Sequence, residues 1–260
     1  MQPVLFIGHG SPMNAVEDNE FSMKWKEIAG SFPKPKAILS ISAHWETFGT
    51  HVTSMLTPRT IHDFYGFPEI LFRQVYPAPG SPELASKIIN MAGKVEIKAD
   101  VSEWGLDHGT WSVLIQMYPE ADIPVVQLSL DQNKTSRQHF DLAETLQPLR
   151  KSDILILCSG NIVHNLGMIK WTRNGLSEDA YDWATEFDDW IRNSVSSGKM
   201  EPILNYHEMG KVAGLAVPTA EHFLPLIYFT ALRQKNETVL FFCEKIVGGS
   251  ISMRSILTQT

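Results

Sequence analysis

The sequence predicts a single α/β domain, residues 1–260, with a mostly parallel central sheet flanked by helices. Short apolar runs of strand length alternate with stretches of helical periodicity, which is the pattern of successive β-α-β units. Strands in such units are covered by helices on both faces, so they read as near-continuous apolar runs like those found here. A chain of 260 residues is also within the range of one large domain with a substantial core.

The predicted strands are runs rich in Val, Ile and Leu, at residues 4–7, 37–42, 123–130, 154–158 and 238–243. The predicted helices cover residues 21–29, 83–91, 110–118, 137–151 and 179–195, and a last helix is predicted to begin near Thr219. Pro82 suits a first helical turn and Thr219 suits an N-cap. Segment 51–82 is rich in Pro, Gly and aromatic residues, which favours an insertion or lid over a site.

Charge and composition exclude several classes of function. The net charge of −7 and the sparse Lys and Arg clusters argue against a nucleic-acid partner. The first apolar stretch has no basic segment before it, and no apolar run approaches the roughly 20 residues of a membrane span. We therefore expect a cytoplasmic protein with no membrane partner. Cys158 and Cys243 each end a strand-like run, so buried free thiols are favoured over a disulfide.

Four histidines lie at or just past the end of an apolar run: His9, His44, His164 and His222. Parallel strands place their carboxyl ends at one edge of a sheet, where open α/β proteins bind ligands. His9 also lies between two glycines, which let the backbone turn sharply and leave the imidazole unobstructed. Two histidines with one more nitrogen or oxygen donor suit Fe(II), Zn(II) or Mn(II), so this pattern predicts a metal enzyme.

The pattern leaves the third donor open between Glu221 and His222. Adjacent residues of a helix point about 100° apart, so only one of the two is expected to face a metal. Glu221 would complete a set of two histidines and one carboxylate, as in non-haem iron oxygenases. His164 is the best candidate for a general acid and base. His108, with tryptophans nearby, is expected to face an aromatic substrate, or else only to take part in a helix cap.

Six motifs in order resemble the 4,5-DOPA extradiol dioxygenase family, which belongs to the class III extradiol ring-cleavage dioxygenases. The resemblance runs from Gly8 to about Leu226, most of the chain. The motifs are His-Gly-Ser-Pro (9–12), Ser-Ala-His-Trp (42–45), Thr-Ile-His-Asp-Phe (60–64), Leu-Asp-His-Gly-Thr-Trp (106–111), Gly-Asn-Ile-Val-His-Asn (160–165) and Pro-Thr-Ala-Glu-His-Phe-Leu-Pro-Leu (218–226).

The resemblance implies an enzyme that opens the ring of a catechol such as DOPA with dioxygen, beside the two hydroxyl-bearing carbons. It implies His9, His44 and His222 as ligands of one divalent metal, and His164 as the catalytic histidine and a fourth ligand in zinc-loaded members. Many class III relatives use a carboxylate as third ligand, so His222 beside Glu221 is a departure. Fe(II) is implied for activity, and a Zn(II) form would be structurally sound but inactive as an oxygenase.

Two other functions fit parts of the same pattern. A zinc hydrolase would use the histidine cluster to generate hydroxide. A non-catalytic relative would keep the fold as an interaction surface. The presence of all four histidines argues against the second alternative, because an interaction surface does not need them.

Overall fold

A computed structural model describes residues 1–173 and 175–259 of the chain. The strands in this part are β1 (Val4–Gly8), β2 (Ala37–Thr47), β3 (Thr50–Thr53), β4 (Arg59–Thr60), β5 (Ile97–Asp100), β6 (Gly105–Leu106), β7 (Val125–Asp131), β8 (Ile154–Gly160), β9 (Trp171–Thr172), β10 (Gly175–Leu176), β11 (Thr238–Phe242), β12 (Ile246–Val247), β13 (Ile251–Ser252) and β14 (Ser255–Gln259).

The α-helices in the same part are α1 (Glu20–Ala29), α2 (Glu69–Phe72), α3 (Pro82–Met91), α4 (His108–Met117), α5 (Ser136–Thr145), α6 (Asp182–Ser196), α7 (Met200–Leu204), α8 (Lys211–Ala216) and α9 (Leu224–Leu232). Each predicted strand and helix has a counterpart among these elements. No helix of the described residues has the length and apolar character that crossing a membrane requires.

Eight strands form one sheet in the order β11-β14-β1-β8-β2-β7-β3-β5. The central pairs β1/β8, β8/β2 and β2/β7 are parallel, whereas β14 runs antiparallel to β1 and β3 runs antiparallel to β7. Neighbouring residues of β1 point to opposite faces: Val4 and Phe6 pack with α3 and α5 to α9, and Leu5 and Ile7 pack with α1, α2 and α4. The predicted α/β class with a mostly parallel sheet is confirmed.

Two predicted helix boundaries are wrong. The last helix begins at Leu224, not near Thr219, because the Thr219 hydroxyl donates to Glu221 at 2.8 Å instead of capping a helix. Pro225 then occupies the first turn, where its missing N–H is harmless. The helix predicted to reach residue 151 ends at Thr145 and continues as a 3₁₀ helix, Gln147–Ser152.

Segment 51–82 is only partly an insertion. Its first residues belong to β3, which joins the main sheet, and the rest contains β4 and α2. The loop between β4 and α2 lies over the carboxyl edge of the sheet, where it places Asp63 against His108. Cys158 and Cys243 are free, as predicted; Cys158 is buried and Cys243 is partly buried.

A buried ion pair joins the 3₁₀ helix to the start of β11. The side chains of Arg150 and Glu237 are 0% and 1% exposed, and Arg150 Nη1 donates to Glu237 Oε2 at 2.9 Å. Glu237→Gln would leave the Arg150 charge uncompensated in the interior. We expect the free energy of unfolding to fall by about 3–5 kcal/mol. Urea unfolding measures this, with Asp18→Asn in the exposed pair with Lys26 as the control. Equal losses in both variants would contradict the prediction.

Candidate metal centre

Three adjacent strands, β1, β8 and β2, bring the site residues together at the carboxyl edge of the sheet. His9 directly follows β1, and its backbone N–H donates to Gly160 O at the end of β8. His44 lies within β2, where the pairing with β7 changes register between Ile41 and Glu46. Bulges of this kind re-aim side chains and are common beside active sites. The irregular stretch of β2 therefore places His44 at the carboxyl edge of the sheet, outside the regular hydrogen bonding between β2 and β7.

His222 reaches the same place from the turn before α9. Its carbonyl accepts a hydrogen bond from the backbone N–H of Asn161 at 2.8 Å, which ties the turn to the end of β8. The approach depends on Gly160, because a Cβ at this position would lie 2.2 Å from His222 O. Any larger residue would push the turn away from the strand end. The glycine thus sets how closely His222 approaches the other histidines.

The structure brings His9, His44 and His222 into one cluster. The Nε2 atoms of His9 and His44 are 3.1 Å apart. The ring centroid of His222 is 5.3 Å from that of His9 and 5.0 Å from that of His44. One nitrogen from each ring lies within 4.8 Å of the other two. This spacing is suitable for a single ion bound by three imidazoles.

The Nδ1 atom of each clustered ring faces an oxygen. His9 Nδ1 is 3.0 Å from Ser159 Oγ, whose own proton goes to Gly109 O. His222 Nδ1 is 3.0 Å from Glu221 Oε1, and His44 Nδ1 is 3.2 Å from Asp63 Oδ2. The Ser159 hydroxyl has already donated its proton, and the two carboxylates are negatively charged, so each oxygen favours a proton on the ring nitrogen that faces it. The proton of each neutral ring therefore belongs on Nδ1, which leaves a lone pair on each Nε2.

Three lone pairs facing one another are unfavourable unless a cation lies between them. His222 Nε2 is buried and has no hydrogen-bond partner among the described residues. The Nε2 atoms of His9 and His44 have no proton to share across their 3.1 Å contact. Neutral imidazoles with Nδ1 held by an oxygen are the usual form of histidine metal ligands. The donor set therefore fits a divalent metal.

Burial keeps these rings neutral. It lowers the pKa of His44 to about 3, with the neighbouring His108 adding to the effect. The pKa values of His9 and His222 lie well below the usual range, first because of burial and then because of the other histidines. At neutral pH each ring is thus uncharged, with one protonated nitrogen and one nitrogen available to a metal.

His164, predicted as the catalytic histidine, lies beside the cluster. Its ring stacks on that of His222 with centroids 3.5 Å apart and planes 10° from parallel. With Glu221 and His222 it forms a second set of possible ligands, which includes neither His9 nor His44. Burial lowers its pKa to about 4, although the Glu221 carboxylate opposes the shift. The backbone is fixed by a hydrogen bond from His164 N to Ala216 O.

His108 lies in a helix cap beside the cluster, and its role toward an aromatic substrate stays a prediction. Asp107 caps α4 by accepting from Thr110 N, so the segment is a helix cap. His108 is also the first residue of that helix, and its ring centroid is 3.8 Å from that of His44. The Phe64 ring, 5.5 Å from His108, provides an aromatic wall beside it. His108 therefore lies between the His44 ring of the cluster and the Phe64 ring.

Sequence reasoning missed the acceptors that orient the rings. Ser159 ends a buried strand and gave no pattern of its own. Asp63 follows His62 in the motif 60–64, but this segment has no helical or strand periodicity that would predict where its side chains lie. His62 itself lies outside the cluster, because its Nε2 contacts Gln74 O at 3.0 Å and its ring packs among aromatic residues.

Comparison with known proteins gives matches over nearly the whole chain. The family described as the catalytic LigB subunit of aromatic ring-opening dioxygenase matches residues 3–248. A "4,5-DOPA dioxygenase extradiol" of Escherichia coli K12 is 44% identical over 98% of this chain and 93% of its own length. The protein of the same name from Beta vulgaris is 40% identical over 98% of this chain and 96% of its own length.

A solved structure shows the same fold. The crystal structure of an uncharacterized protein from Escherichia coli K12 has a TM-score of 0.85 and 39% identity, and the match covers 100% of both chains. Together these comparisons confirm the resemblance predicted from six short motifs, and with it an enzyme. The chain belongs to the LigB family, the catalytic subunits of aromatic ring-opening dioxygenases.

Proposed function

We propose that this protein is an extradiol dioxygenase that opens the ring of DOPA or a closely related catechol with dioxygen, at a metal held by His9, His44 and His222. The observation that carries the proposal is a cluster of three imidazoles whose ligand nitrogens lie within 4.8 Å of one another, with an oxygen 3.0–3.2 Å from each Nδ1. The 4,5-cleavage of DOPA is taken from the names of the relatives in Escherichia coli and Beta vulgaris.

A divalent metal bound by these nitrogens would act as a Lewis acid that lowers the pKa of the catechol hydroxyls and orients the substrate. We propose Fe(II) for the active protein, because the reaction with dioxygen needs a redox-active ion and Zn(II) has no redox chemistry. Three neutral histidines bring no charge to the ion, so its charge would be balanced by the substrate and by the Asp63 and Glu221 carboxylates behind the rings.

His164 and His108 flank this position and supply the acid and base chemistry. His164 is neutral at neutral pH, because burial lowers its pKa to about 4, so its ring accepts a proton from a substrate hydroxyl and returns it later. His108 borders the cluster from the other side, next to Phe64, where an aromatic ring would bind.

Oxygen uptake tests the proposal. Metal-free protein is reconstituted with Fe(II) or with Zn(II) under the same conditions and supplied with DOPA. We expect stoichiometric oxygen consumption and a ring-opened product with Fe(II), and none with Zn(II). If the Fe(II) form consumes no oxygen and the Zn(II) form hydrolyses an ester, the proposed dioxygenase function is wrong and the zinc hydrolase is favoured.

The third ligand is tested by Glu221→Gln against His222→Gln. The cluster that contains His9 and His44 has His222, not Glu221, as its third member. We therefore expect His222→Gln to remove most of the bound metal. In Glu221→Gln we expect a reduction in affinity of about 10-fold to 100-fold, the size typical for loss of a partner that orients a ligand. Metal analysis at limiting metal measures both. Greater metal loss in Glu221→Gln would assign the carboxylate as the ligand.

A further inference from the structure

One carboxylate contacts two histidines of the site. Asp63 Oδ2 is 2.9 Å from His108 Nδ1 and 3.2 Å from His44 Nδ1. The other oxygen, Oδ1, accepts the backbone N–H of His108 at 2.9 Å. The Asp63 side chain is only 16% exposed. The loop before α2, the bulged part of β2 and the first residue of α4 therefore meet at a single acidic group.

The charge of Asp63 determines which nitrogen of each ring carries the proton. A carboxylate oxygen only accepts, so it favours a proton on the Nδ1 atom that faces it. His108 then has its lone pair on Nε2, and His44 has its lone pair on Nε2, toward His9.

We propose that Asp63 is a positioning residue that fixes the tautomers of His44 and His108 together, so that metal affinity and proton transfer depend on one carboxylate. The inference rests on the proposed function, in which His44 binds the metal and His108 faces the substrate. Asp63 touches neither the metal nor the reacting atoms. It acts through the two rings, as carboxylates do beside metal-bound and catalytic histidines.

Asp63→Asn is the informative substitution because it preserves size and removes the charge. The amide has one oxygen for three donors, and its NH₂ group facing either Nδ1 favours the opposite tautomer. We expect metal affinity to fall by about 10-fold to 100-fold. With the metal saturated, we expect single-turnover ring opening to fall by on the order of 10²-fold, the size of losing a general acid or base. Competition with a chelator measures the affinity.

A second substitution separates the two effects. In His108→Gln, the metal affinity should remain that of the unaltered protein while ring opening slows. Adding Asp63→Asn to His108→Gln should then weaken metal binding as before, with little further slowing of the normalised rate. Asp100→Asn is the matched control, because Asp100 is a buried carboxylate whose contacts are backbone N–H groups outside the site.

The unaltered protein offers a test that depends on neither folding of a variant nor turnover. NMR of the zinc-loaded chain with isotopically labelled histidine reports the tautomer of each ring, and His108→Gln identifies the His108 signal. We expect His108 with its proton on Nδ1. A proton on Nε2, or an Asp63→Asn variant that matches Asp100→Asn in metal affinity and rate, would overturn the inference. Failure of the proposed function alone would appear as absent oxygen uptake with the metal affinities and tautomer as expected.

Discussion

His9→Ala and His44→Ala are each expected to abolish stoichiometric metal binding while leaving a folded protein. Each substitution removes one of three nitrogens that lie within 4.8 Å of one another. Two imidazoles bind a divalent ion much more weakly than three. Both rings make their polar contacts within the site, with Ser159, Asp63 and each other. In the metal-free state, the loss of one ring also relieves the opposition of lone pairs between His9 and His44.

Metal analysis of the purified variants measures the first expectation, and thermal unfolding with and without added Zn(II) measures the second. The unaltered protein should unfold at a higher temperature when metal is added, and the variants should show no such increase. The control is His207→Ala, an exposed histidine outside the cluster, which should keep full metal content. Full metal content in His9→Ala and His44→Ala would remove both residues from the metal centre.

His164→Gln is expected to retain much of the metal and still bind a catechol, but to open the ring on the order of 10²-fold more slowly. The ring of His164 stacks on His222 and is not among the three nitrogens of the cluster, so its main role is expected to be proton transfer. Glutamine keeps a polar side chain of similar reach but takes no part in proton exchange near neutral pH.

The measurement is single-turnover ring opening under air, normalised to bound Fe(II). If metal occupancy and activity fall together, His164 is chiefly a ligand, as in the zinc-loaded form that the family resemblance implies. Equal normalised rates in variant and unaltered protein would remove His164 from the chemistry. His108, which borders the cluster from the other side, would then be the acid and base.

The sequence predicted the parts of the site that depend on local patterns. His9 and His164 follow buried parallel strands, and the carboxyl edge of a parallel sheet is where such residues meet. His44 required more than strand alternation, because it lies where β2 loses register with β7. The sequence predicted His44 from its place just past the apolar run 37–42 and from the motif resemblance, whereas β2 extends to Thr47 and contains His44 in its irregular part.

Contacts between distant segments were not predictable in this way. Asp63 belongs to an aperiodic loop, so nothing local indicates that its carboxylate faces His44 and His108. The sequence predicted Glu221 and His222 to lie in a helix with side chains about 100° apart, but both residues lie in a turn before α9. There the two side chains contact each other, which no helical geometry would have indicated.

The three nitrogens of the cluster come from segments far apart in the sequence: His9 follows β1, His44 lies in β2, and His222 lies in the turn before α9. During synthesis the cluster therefore lacks one of its three nitrogens until residue 222 has been added and has packed against the strands. A metal that binds only the folded protein links these segments and stabilises the folded state. At a free metal concentration 100 times the dissociation constant, such binding adds about 2.7 kcal/mol against unfolding. Metal supply is thus expected to change the protein's resistance to unfolding as well as to fill the proposed catalytic centre.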